Sequence, residues 1–273
     1  MIIWISSYPK SGNTWVRAFL CAYLYSSDGK FNFNLLNNIG EFPDHNILKK
    51  FVDSNNFHQL KEISKHWLSV QEFINLNKKF IFLKTHSSLC NINGNEFTNP
   101  SNTLAFIYIV RDPRNVVTSL SNYFGLKLED AIKNITNPSS LIYAGKNDVV
   151  SIVGSWSQHY NSWKNTKNLY LIKYEDLIKN TYIEINKLFL FLKKECNLSI
   201  NNNINNINEI IESTSFEKLK NMENQKLLNL SAQNGKNFFY LGKENKWENI
   251  LDKKFTKDIE KSFKYEMTEL GYL

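Results

Sequence analysis

Tyr8-Pro9-Lys10-Ser11-Gly12-Asn13-Thr14-Trp15 packs one lysine, two aliphatic hydroxyls and a single glycine into eight residues near the amino terminus. A loop placed between a buried strand and a helix presents free backbone N–H groups and the positive end of the helix, both suited to an anion. Gly12 lets the backbone approach such an anion closely, Lys10 adds a mobile cation, and Ser11 and Thr14 add hydroxyl donors. The order of residues argues against a triphosphate loop of the Walker type. That pattern needs two glycines with Lys and Ser or Thr straight after the second, whereas Lys10 precedes the only glycine. A triphosphate site would also want a magnesium carboxylate at a strand end. Asp112 stands after Arg111 and before Pro113, where a helix N-cap is the better reading.

Two further groupings carry charge or a titratable ring. Lys84-Thr85-His86 follows an apolar run, and a histidine there is a candidate base for a hydroxyl proton, with Lys84 as a charge-stabilising neighbour. His45, His58, His66 and His159 stand outside any such grouping and read as structural. Arg111 and Ser119 are eight residues apart, a spacing that puts the arginine at a helix entrance and the serine on one face. Arg114 reads as a surface or salt-bridge residue.

These groupings need elements to hold them. Met1–Ser7 reads as a strand buried on both faces, because Ile2, Ile3, Trp4 and Ile5 are apolar without alternation. Trp15, Val16, Phe19, Leu20 and Tyr23 then repeat at helical spacing to about Tyr25. Phe80–Leu83, Leu104–Val110 and Leu169–Ile172 are further strands, each ending in polar residues, and Pro113 opens a helix after the second of them. From about Ile178 the pattern is mostly helical, interrupted over Asn234–Asn249 and closed by an amphipathic helix over Thr256–Leu270. The fold class expected is α/β: one domain over residues 1–273, with a mostly parallel sheet flanked by helices. Ligands of open α/β sheets sit at the carboxyl ends of the strands.

The chain has 273 residues, 42% of them apolar, and a formal charge of +7. A basic excess suits phosphate- or sulfate-rich ligands, nucleic acid or an anionic membrane, though most lysines read as a solvated surface. The run Asn201–Asn206 reads as composition bias. Cys21, Cys90 and Cys196 are scattered without metal spacing and read as free thiols, two of them buried, in a reducing compartment. With no apolar run of spanning length and no secretory signal pattern, the protein is expected to be cytoplasmic.

The residues Tyr8–Trp15 resemble the 5′-phosphosulfate loop of the cytosolic-type sulfotransferases, Tyr-Pro-Lys-Ser-Gly-Thr-Thr-Trp, departing only at Asn13. The resemblance continues in order through Lys84-Thr85-His86, Arg111 with Ser119, Lys173-Tyr174-Glu175 and Thr214-Ser215-Phe216. It implies a P-loop-NTPase-like fold and transfer of a sulfuryl group from 3′-phosphoadenosine-5′-phosphosulfate, releasing 3′-phosphoadenosine-5′-phosphate. His86 would be the base, with Lys10 and Lys84 as catalytic cations. Lys10, Ser11, Gly12, Asn13, Thr14 and Trp15 would hold the donor's 5′ side. Arg111 and Ser119 would hold its 3′-phosphate, and Tyr174, Thr214 and Phe216 its nucleoside, with Gly242 and Lys243 in a closing loop. No metal is called for, and the acceptor would be a small molecule rather than nucleic acid. The resemblance allows a homodimer.

The family closes that loop with Arg-Lys-Gly, but here Tyr240 and Leu241 replace the two cations and Asn245 a second glycine. Lys236, Lys243 and Lys246 are candidate substitutes. Tyr123, Phe124 and Tyr143 are candidates for lining an apolar acceptor pocket. Two alternatives stay open from the residues alone. One is a small-molecule kinase of the same superfold; the other is a non-catalytic nucleotide- or nucleic-acid-binding protein, kept open by the altered closing loop, with Lys10, Lys84 and His86 arguing against it.

Overall fold

The computed structural model describes residues 1–76, 80–144, 149–198, 207–225, 238–242 and 245–273. In chain order the strands among them are β1 (Ile2–Ser7), β2 (Gly40–Glu41), β3 (Ile81–Thr85), β4 (Asn91–Ile92), β5 (Asn95–Glu96), β6 (Thr103–Val110), β7 (Leu141–Ala144), β8 (Val149–Ile152) and β9 (Leu169–Lys173). Five of these form one sheet in the order β2-β3-β1-β6-β9, with every neighbouring pair parallel. The pairs β4–β5 and β7–β8 are small antiparallel hairpins.

The apolar run of β1 is explained by its central place in the sheet. Its side chains alternate between two cores: Ile2 and Trp4 point into one, Ile3 and Ile5 into the other. The first core holds Trp67, Trp156, Trp163 and Tyr108, and Trp4 meets the rings of Phe42 and Phe97 at centroid distances of 5.4 and 5.2 Å. The second receives Val16, Phe19 and Leu20 from the helix Asn13–Tyr25 and Ile185 and Leu188 from the helix Thr181–Cys196. Covering both faces is what a parallel sheet requires.

The expected strands are all present, each within a residue or two of its predicted bounds. Asp112 caps the helix Pro113–Phe124, its side chain accepting from Arg114 N at 2.9 Å. Cys21 and Cys196 are buried and Cys90 half-buried, all three as free thiols. The single closing helix expected over Thr256–Leu270 is two, Lys253–Ser262 and Lys264–Glu269. The break falls at Phe263 (φ −123°, ψ 23°), whose buried ring lies 5.2 Å from that of Trp156. Packing of that ring into the core outweighs continuation of the helix. The Asn201–Asn206 run lies outside the described residues. No helix among the described residues is long and apolar enough to cross a membrane.

Candidate active site

Because the sheet is parallel, the ends of β3, β1, β6 and β9 open on the same side, and a cleft of about 950 Å³ runs along them. Adjacent strands lie about 4.8 Å apart, so the strand order becomes an order of chemistry. Lys84 and His86 stand at the end of β3, the Tyr8–Trp15 loop follows β1, Arg111 follows β6, and Tyr174 follows β9. All four positions contribute to the lining of that one cleft.

In the loop, Lys10 and Gly12 both have positive φ, 68° and 100°. A left-handed lysine costs about 1–2 kcal/mol, a strain that tends to mark functional backbone. Alternation of handedness turns successive N–H groups inward, as in anion-binding concavities; no side chain caps the helix Asn13–Tyr25, and in its first turn Trp15 N donates to Gly12 O at 3.0 Å. A Cβ on Gly12 would lie 2.5 Å from Tyr174 Cδ2, so glycine is required by contact as well as by φ.

The loop's side chains divide. Asn13 donates from Nδ2 to Ile5 O at 3.1 Å and to Ser7 Oγ at 3.3 Å, tying the loop back to β1. Ser11 is fully buried and its Oγ has no partner, while its N–H reaches Tyr8 O at 3.3 Å. Lys10, Gly12, Asn13, Thr14 and Trp15 line the cleft. The Lys10 ammonium sits between the rings of Tyr123 and Phe238, 4.1 and 3.9 Å from their centroids. Burial, and then the charge of Arg111, bring its pKa down to about 7.

Arg111 donates from Nη1 to Lys10 O at 2.9 Å and lies over the Tyr174 ring at 4.3 Å, while its Nε is buried without a partner. Ser119 lines the cleft one helix face along. Arg114, expected at the surface or in a salt bridge, is in a salt bridge and is buried. Its Nη2 pairs with Asp112 Oδ2 and its Nη1 with Glu260 Oε1, both at 2.6 Å, and Nη2 also donates to Tyr272 O. This pins the entrance of the helix that carries Ser119.

His86 has its Nδ1 2.8 Å from Ser7 O. A carbonyl only accepts, so Nδ1 carries the proton and Nε2 keeps the lone pair that a base needs. Burial, then the charge of Lys84, hold its pKa well below 6.5, so the ring is neutral at working pH. His159 Nε2 donates to His86 O at 3.1 Å, and Tyr108 OH donates to His159 Nδ1 at 2.8 Å. His159 is thus structural as expected, with its pKa lowered by burial to about 3, and it supports the segment that carries the base.

One end of the cleft is aromatic. Trp15, Tyr174 and Phe216 line it, and Trp15 Nε1 donates to Thr214 O at 2.8 Å. Thr214 itself is fully buried, its hydroxyl donating to Ile210 O, so only its carbonyl serves this end. Gly242 (φ 55°) lets the closing loop lie on Phe216, since a Cβ there would come within 2.6 Å of the ring. Asn245, in the place of a glycine, is buried and accepts from Thr118 Oγ1 at 3.0 Å while donating to Asn115 O at 3.1 Å. It fastens the loop to the helix Pro113–Phe124. Tyr240 is half-exposed, its carbonyl accepting from Lys220 Nζ at 3.2 Å. Lys246 is exposed and away from the cleft lining; Lys236 and Lys243 lie outside the described residues.

Tyr123, Phe124 and Tyr143, the candidates for an apolar pocket, all line the cleft. Three charged residues there had no signal in the sequence: Glu217, Glu41, ion-paired with Lys84, and Arg17, whose Nε is buried without a partner. Arg17 reads as an ordinary helix position, and Glu41 stands on a strand of two residues, too short to show periodicity. Among the described residues no cluster of His, Cys, Asp or Glu could hold a metal.

The family model for the sulfotransferase domain matches residues 2–271. The chain belongs to that family. Human sulfotransferase 2A1 is 26% identical over 97% of this chain and 84% of its own length. Cytosolic sulfotransferase 7 of Arabidopsis thaliana is 25% identical over 94% and 76%. Among solved structures, mouse sulfotransferase SULT7A1 complexed with PAP superposes with a TM-score of 0.61 at 22% identity, covering 98% of this chain and 84% of that one. Retinol dehydratase in complex with retinol and PAP gives 0.62 at 20%, covering 97% and 81%. These likenesses bear out the α/β fold expected from the sequence, and family membership favours neither the kinase nor the non-catalytic alternative.

Proposed function

We propose that this sulfotransferase-family protein moves a sulfuryl group from 3′-phosphoadenosine-5′-phosphosulfate to the hydroxyl of a small acceptor. The observation that carries the reading is the order of groups along one cleft: base and lysine on β3, anion loop on β1, arginine on β6, aromatic platform on β9. An anionic donor fits this site. Arg111, which lines the cleft, has its Nε buried without a partner, and such a group calls for a ligand. The relatives solved with PAP supply the identity of the nucleotide.

The loop backbone at Gly12–Thr14 and Lys10 would face the phosphosulfate, with Ser11 and Asn13 shaping the turn. Arg111 and Ser119 would grip the 3′-phosphate, Arg111 through the guanidinium edge that Lys10 O leaves open. Trp15, Tyr174 and Phe216 would hold the adenine, with Thr214 anchoring Trp15, and Gly242 with Lys243 would close over it. In the reaction, His86 Nε2 takes the proton of the acceptor hydroxyl as its oxygen bonds to sulfur. The bond from sulfur to the bridging phosphate oxygen breaks, and 3′-phosphoadenosine-5′-phosphate leaves. Lys10, Lys84 and the loop N–H groups stabilise charge on the bridging and peripheral oxygens. Lys10 reaches them by turning out of the Tyr123–Phe238 cage. No metal ligand enters this scheme. The cytosolic Arabidopsis relatives favour a cytoplasmic enzyme.

The test is transfer of radiolabelled sulfate from the donor across a panel of phenols, alcohols and amines. Label on any acceptor, lost in His86→Ala, supports the reading. Label transferred equally by His86→Ala removes the base assignment.

A further inference from the structure

Glu41 reaches the cleft from β2, in register opposite Lys84 on β3, and Phe42 N donates to Lys84 O at 2.8 Å, so the two backbones are locked side by side. The Glu41 carboxylate takes the Lys84 ammonium in an ion pair. A surface pair would mean little. Here the Lys84 side chain is only 12% exposed, whereas that of Glu41 is 44% exposed. A nearly buried ammonium tends to lose its proton, and Arg17, from the helix Asn13–Tyr25, adds a second positive charge that pushes the same way. His86 lies two residues on, just past the end of β3, with Nδ1 held at Ser7 O, and Tyr123 approaches from the helix Pro113–Phe124. Among the described residues, Glu41 is the carboxylate that pairs with Lys84.

We propose that Glu41 is the positioning residue for Lys84: it keeps the amine charged and fixes Nζ at the acceptor end of the cleft. An ammonium has three N–H donors. One is spent on Glu41, and the others remain for the transferring group and the bridging oxygen. The inference rests on the sulfuryl-transfer reading above, in which Lys84 stabilises charge on those oxygens.

The test is a double-mutant cycle in turnover, measured as transfer of radiolabelled sulfate to a naphthol. Glu41→Gln is expected to lower kcat about 10- to 100-fold with the donor KM changed less than about threefold. In a Lys84→Ala background the same substitution costs nothing further. In a Lys84→Arg background it is nearly silent, because a guanidinium stays charged without an acid beside it. Should Glu41→Gln fail to fold, Glu41→Asp keeps the charge, and its smaller loss must likewise vanish in Lys84→Ala. An equal loss in all backgrounds, or no loss in the wild-type background, overturns the inference while the transfer reading stands. No transfer by the wild-type chain to any acceptor of the panel overturns both.

Discussion

Gly12→Ala tests the geometry of the anion loop with a single methyl group. Two terms set its cost. The residue stands at φ 100°, a region where L side chains are strained by about 1–2 kcal/mol. The new Cβ would also meet Tyr174 Cδ2 at 2.5 Å and Cε2 at 2.8 Å, so the ring must move. That ring cannot yield freely. It lies under Arg111 at 4.3 Å and edge-on to Trp15 at 5.8 Å. Overpacking of this kind costs about 1–3 kcal/mol, so the sum is about 2–5 kcal/mol and the melting temperature falls by about 4–20 °C. The displaced ring should carry Arg111 with it, weakening binding of 3′-phosphoadenosine-5′-phosphate about 10- to 100-fold by calorimetry. Tyr174→Ala in the same chain removes the clash and not the φ strain, so Gly12→Ala should cost only about 1–2 kcal/mol in that background. Gly12→Ala with unchanged melting and unchanged affinity would refute the close approach of loop and ring.

Three further outcomes follow from the same geometry. Lys10→Ala and His86→Ala should each lower turnover about 100- to 10,000-fold with unaltered circular dichroism, as expected for loss of charge stabilisation and of a general base. With Lys10 lowered to about 7 and required in its protonated form, kcat/KM for the donor should fall as pH rises through about 7. The acid limb should lie well below pH 6.5, because His86 stays neutral there; Lys10→Arg should remove the basic limb and leave the acid one. Arg114→Met removes the partner of the buried Asp112 carboxylate and should cost about 3–5 kcal/mol in urea unfolding, with a loss of donor affinity, because the entrance of the Ser119 helix is no longer pinned.

Much of the fold was legible because its strong signals are local. An apolar run without alternation at Ile2–Ile5, polar strand ends, and Asp112-Pro113 at a helix start each carry their own physical cause within a few residues. The lysines, the histidine and the arginine at those strand ends were legible for the same reason, since parallel strands bring their carboxyl ends to one edge. What was not legible depends on distant partners. Glu41 meets Lys84 across 43 residues, and Asn245 meets Thr118 across 127. Asn245 looked like a lost glycine, yet its side chain is what fastens the closing loop. Ser11 and Thr214 looked like ligand hydroxyls, yet one is buried under the loop and the other bonds back into its own helix. Phe263 broke the closing helix because Trp156 offered it a core site that no local pattern announces.

The central claim is that the cleft is built for a nucleotide bearing a 3′-phosphate, and its most direct test needs no acceptor. Calorimetric titration should show 3′-phosphoadenosine-5′-phosphate binding about 10- to 100-fold more tightly than adenosine 5′-phosphate, the margin of one charge-assisted contact. Arg111→Met should erase that margin. Equal affinity for the two nucleotides, or tighter binding of ATP with magnesium, would contradict the account.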